Sequence, residues 1–63
     1  MILERIRKVM IDFHVSFEWW NYVWKALTEW VNEFSAANGR SPTYDEIKNH
    51  LQEMNDAKYE QIH

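Results

Sequence analysis

Residues 17–34 read FEWWNYVWKALTEWVNEF, and within them Phe17, Trp20, Trp24, Leu27, Val31 and Phe34 alternate three- and four-residue steps without a miss. Such steps return each side chain to one flank of an α-helix, whereas a strand would need apolar residues at every second position. The stretch therefore predicts an amphipathic helix, with Trp20, Trp24, Leu27 and Val31 as core. Val23, Trp30 and Ala37 lie beside the stripe and widen it, which suits packing against two neighbours. Ser16 stands where an N-cap belongs, and its hydroxyl is expected to accept a bond from a first-turn amide. Asn38-Gly39 supplies the stop, because Gly takes the left-handed conformation without a Cβ penalty.

Upstream, Ile2, Leu3, Ile6, Val9, Met10 and Phe13 recur at helical steps, so a first helix is expected to run to about Phe13, with His14 and Val15 as the bridge. Downstream, Pro42 fixes its own backbone angle and pushes Ser41 out of helical geometry, which predicts a tight corner. Thr43 and Glu46 have the spacing of a capping box, in which each side chain bonds the other's backbone amide. A third helix then opens at Tyr44 with Tyr44, Ile47, Leu51 and Met54 on its apolar face. Asn55-Asp56 either interrupts that helix or caps a short fourth one holding Ala57, Tyr59 and Ile62. The expected fold is all-α, a compact three- to four-helix unit spanning residues 1–63 as one domain.

A chain of 63 residues buries only about 60% of the surface that its unfolded form exposes, so its core needs reinforcement. Cysteine is absent, which removes disulfides and thiolate metal sites. Four Trp, three Tyr and three Phe take that role, since each aromatic ring buries roughly 150 to 250 Å². Charges interrupt the apolar residues every few positions, so neither a signal-peptide core nor a membrane span is expected, and the expected location is cytoplasmic. Net charge is −3, and the one cationic cluster is Arg5, Arg7 and Lys8. That balance disfavours non-specific attraction to polyphosphate and favours a protein partner.

Catalysis requires titratable groups gathered in a pocket shaped by irregular chain, and no such grouping is visible. His14, His50 and His63 lack ligand spacing, so no metal and no cofactor is expected. Asp45-Glu46 is better explained as helix-start charge complementing the macrodipole. No enzymatic role and no small-molecule substrate is expected. Trp19 and Tyr22 differ from the other aromatics. They fall off the stripe beside Glu18, Lys25 and Glu29, which makes them candidate contact residues, because Trp and Tyr desolvate large areas while keeping a polar atom bonded.

From Phe34 the chain reads FSAANGRSPTYDEI, followed by Leu51. This resembles the opening of LexA-type winged helix-turn-helix domains, in which a helix ends in an Asn-Gly-like corner, Pro-Thr starts the next helix and a Glu-Ile pair anchors it. The resemblance covers about residues 30–62 and includes no wing. It implies that Trp30, Val31 and Phe34 form the core face of one helix, Ile47 and Leu51 that of the next, and that residues 56–63 hold the place of a recognition helix.

Two functions are therefore carried forward. The first is a small regulatory or inhibitory module of the kind that compact phage and mobile-element proteins provide, binding a protein partner through Trp19, Tyr22 and Trp30. Its simplest version is a homodimer seamed by the stripe that Val23 and Trp30 widen. The alternative is a helix-turn-helix DNA-binding regulator, with Arg40, Lys58 and Gln61 near the duplex and Arg5, Arg7 or Lys8 on phosphate.

Overall fold

A computed structural model describes the backbone of residues 1–62 and the side chains of residues 1–56. The fold is all-α: α1 is Ile2–Asp12, α2 is Phe17–Asn38 and α3 is Tyr44–Ile62, with no strand among the described residues. The chain packs to a radius of gyration of 11.7 Å, and α1 lies against both α2 and α3.

Each helix ends for a local reason. At the end of α1, the Val15 N–H donates to the Met10 carbonyl and the His14 N–H to the Ile11 carbonyl, both at 3.1 Å. These are the two bonds of a Schellman cap, and they place His14 at φ 59° in the left-handed slot that Gly normally fills. Val15 packs on the core cluster that contains Met10, the apolar contact that accompanies this motif. At the end of α2, Gly39 takes φ 67° and donates its N–H to the Ser35 carbonyl at 2.9 Å. The Asn38 side-chain amide closes the neighbouring Phe34 carbonyl at 2.9 Å.

The helix starts divide. Thr43 and Glu46 form the full capping box: the Thr43 N–H donates to Glu46 Oε1 at 2.9 Å, and the Glu46 N–H to Thr43 Oγ1 at 3.3 Å. Ser16 has the extended N-cap backbone, yet its hydroxyl makes no cap bond. The Trp19 N–H donates instead to the Ser16 backbone carbonyl at 3.1 Å. Asn55 and Asp56 neither interrupt α3 nor open a fourth helix, since one helix runs from Tyr44 through Ile62. Residues 56–62 of the segment that the resemblance assigns to a recognition helix are thus the distal part of α3, and His63 lies outside the described residues.

Ile6, Val9 and Met10 of α1, Val23, Leu27 and Val31 of α2, and Ile47 and Leu51 of α3 form the core. The α2 face that closes on it is turned from the sequence expectation. Val23, placed beside the stripe, is buried; Trp20, Trp24 and Phe34 are half-buried; and Phe17 is 95% exposed. Helix axes pack about 8–10 Å apart. Aliphatic side chains fit between axes at that spacing, whereas indoles there would force them apart. The row Val23, Leu27, Val31 therefore takes the centre and the rings are displaced to its edges. Leu3, placed with Ile6, Val9 and Met10 on one face of α1, is likewise exposed.

Candidate functional site

The ring-bearing residues of α2 fall on two flanks of the core row. Trp19 and Tyr22 lie on one. Their centroids are 6.0 Å apart with planes at 78°, an edge-to-face pair, and the residues are 45% and 65% exposed. The edge-to-face contact restrains each ring against the other, which reduces the side-chain freedom lost on contact. Glu18 and Lys25, four and three residues from Tyr22, rim the pair with opposite charges.

Trp30, the third expected contact residue, does not extend this patch. It is half-buried and stacked on His50 of α3, with centroids 4.2 Å apart and planes 9° from parallel. Trp30 also tilts against Phe34 at 5.3 Å, and the Arg40 guanidinium sits 5.0 Å over the Phe34 ring. The stack continues from Arg40 into a forked pair with Glu46, at 2.7 and 3.0 Å. Arg40 and the Thr43 amide together hold the Glu46 carboxyl down to about 2. Burial pushes the His50 imidazole below its ordinary value, against a weaker pull from Glu53. Val23 and Trp30 therefore serve the chain's own packing.

On the other flank, Phe17, Trp20, Asn21 and Trp24 line an open groove of about 550 Å³ that Arg7 of α1 borders. The sequence reading missed this groove because it placed Trp20 and Trp24 in the core and set Phe17 on the same stripe. One signal pointed to it: Leu3 and Ile11 stand four residues either side of Arg7, and both are exposed, so α1 carries a second apolar face.

The cations of the nucleic-acid alternative are mostly engaged. Arg5 donates to the Pro42 carbonyl at 2.7 Å, Lys8 pairs with Asp12 at 3.3 Å and Arg40 is bound to Glu46. Arg7 borders the groove, while Lys58 and Gln61 lie outside the described side chains. Among the described residues no group of three His, Asp or Glu side chains could hold a metal ion, and no helix is long and apolar enough to cross a membrane. Comparison with known proteins returns no matching family model, no matching curated protein and no matching solved structure.

Proposed function

We propose that this chain is a small, non-enzymatic, cytoplasmic module that regulates or inhibits a protein partner by docking the Trp19–Tyr22 edge of α2 against it. The observation that carries this reading is the edge-to-face pair itself, two rings 45% and 65% exposed on a rigid helix. Trp and Tyr dominate interface hot spots, and they do so where a fixed backbone presents them. The helix-turn-helix alternative draws less support, because Arg5 and Arg40 are committed to Pro42 and Glu46.

The test is site-specific photocrosslinking from position 22 in the native host, with position 32 as an exposed control on α2. The reading expects a discrete protein adduct from position 22 that survives nuclease and is absent from position 32. Once that partner is in hand, Trp19→Ala should weaken its binding by about tenfold or more, the scale of a hot-spot truncation, with the thermal midpoint nearly unchanged. Adducts that vanish on nuclease treatment would transfer the assignment to nucleic acid.

A further inference from the structure

We infer that the protein partner of the Trp19–Tyr22 edge presents a basic surface, a cluster of Arg and Lys side chains that seats on these two rings and on the carboxylates of Glu18, Glu29 and Glu33. The inference rests on the docking reading above and adds the chemistry of what docks.

Successive residues of an α-helix turn by about 100°, which puts Glu18, Glu29, Tyr22, Glu33 and Trp19 within one arc of about 100° on the outer side of α2. All five are exposed. At about 1.5 Å per residue the arc runs for about 22 Å from Glu18 to Glu33, short enough for one partner surface to reach all of it. Lys25 is the one cation of α2, and it stands at the edge of the arc. The carboxylates that serve the fold are paired, Asp12 with Lys8 and Glu46 with Arg40. Glu18, Glu29 and Glu33 make no ion pair among the described residues, and neither does Lys25.

Carboxylates alone are what an ordinary solvated helix face carries. Two large exposed rings set among them are not, and the combination selects a class of partner. The face of an indole or phenol ring attracts a guanidinium or ammonium group, and a carboxylate beside it holds the same cation by charge-assisted hydrogen bonds. Against an apolar or acidic partner the three carboxylates would be stripped of water or crowded by like charge, with no bond formed in exchange. The net charge of −3 extends the same sign over the molecule, so a basic partner is drawn in before contact.

Hexa-arginine is the probe, titrated into the isotope-labelled full chain at low salt and followed by NMR. The largest amide shifts should fall at residues 18–22 and 29–33, and about 0.3 M salt should suppress them. The Glu18→Gln, Glu29→Gln, Glu33→Gln triple variant should bind the peptide about tenfold or more weakly with helicity unchanged, and Lys25→Gln should bind it more tightly. Hexa-glutamate should leave this face unmoved. Hexa-arginine shifts confined to α3, or a triple variant that binds as the parent does, overturn the inference and leave the docking reading standing. The partner captured from position 22 gives a second decision, in which capture alone counts for nothing. Its association should slow about tenfold or more with the triple variant. An association rate that is unchanged or faster overturns the inference. Absence of a nuclease-resistant adduct from position 22 removes the docking reading, and this inference with it.

Discussion

Tyr44 donates its phenolic hydroxyl to the Asp12 carboxylate at 2.5 Å, joining the last turn of α1 to the first residue of α3 across 32 positions. With the Arg5 bond to the Pro42 carbonyl, it pins α1 to the α2–α3 corner at two points. The Tyr44 bond, helped by Lys8, holds the Asp12 carboxyl below its ordinary value, and the same bond raises the Tyr44 phenol above its own. Asp12 binds its proton more weakly when folded, so its contribution is present above the ordinary carboxylate pKa and fades as pH falls. Tyr44 holds its proton more tightly when folded, so its contribution is present below the ordinary phenol pKa and fades as pH rises. Tyr44→Phe should therefore melt below the parent at neutral pH, with the gap narrowing at both extremes. Thermal melts followed by circular dichroism check this, and a gap that does not change with pH would contradict it.

The capping box and the forked Arg40 pair act on one carboxylate. Glu46 sits at about 2 against an ordinary 4.5, so the stability it contributes is present above the ordinary value and drains away between the two as pH falls. Glu46→Gln should lower the melting temperature at pH 7, and the two melting curves should converge towards pH 2. The Arg40→Ala, Glu46→Gln double variant should lose less than the two single losses added, since both remove one interaction.

Most of the fold is legible in the residues. Gly39, Pro42, Thr43 and Glu46 are local signals that depend on near neighbours, and each acts as its chemistry dictates. The α3 face of Tyr44, Ile47, Leu51 and Met54 also holds, because that helix presents one clean stripe. What periodicity could not resolve is which part of a wide apolar arc lies at the centre. On α2 that arc spans Val23, Trp20, Trp24 and Trp30, and the choice depends on how closely α1 and α3 approach. Phe17 was lost to the same ambiguity, and the groove with it. The end of α1 was opaque for a different reason: nothing marks His14 as a left-handed residue until the Schellman bonds around it are formed.

His14 at φ 59° offers a simple gain. A non-Gly residue in the left-handed region costs about 1–2 kcal/mol, partly recovered by the lower unfolded-state entropy of a residue with a side chain. His14→Gly should accordingly stabilise the domain by roughly 0.5–1 kcal/mol, read as a higher urea midpoint at unchanged slope. His14→Val, β-branched in the same slot, should destabilise it.

The Trp30–His50 stack carries a mild pH dependence of its own. Burial lowers the His50 pKa, so protonation favours the unfolded chain, and stability present above about 6.5 declines as pH falls below it. His50→Phe keeps a flat ring against Trp30 and removes the titration. Its melting temperature should then be flatter than the parent's between pH 7 and 5, a window above the ordinary values of Asp12 and Glu46.

Leu27 and Phe17 sit on the same helix at opposite ends of the burial scale, 0% and 95% exposed, and the contrast separates the core from the groove. Leu27 is the middle residue of the α2 row that meets α1 and α3, so Leu27→Ala removes packed volume that the surrounding side chains can only partly refill. Such truncations cost about 2–5 kcal/mol. A domain of this length has a total stability of roughly 3–9 kcal/mol, so the loss is a large share of the whole. Leu27→Ala should lose much of its helicity near room temperature at every concentration. Phe17→Ala removes a ring that touches little within its own chain, and in dilute solution it should melt within a degree or two of the parent. A drop of several degrees for Phe17→Ala would mean instead that the ring packs within its own chain.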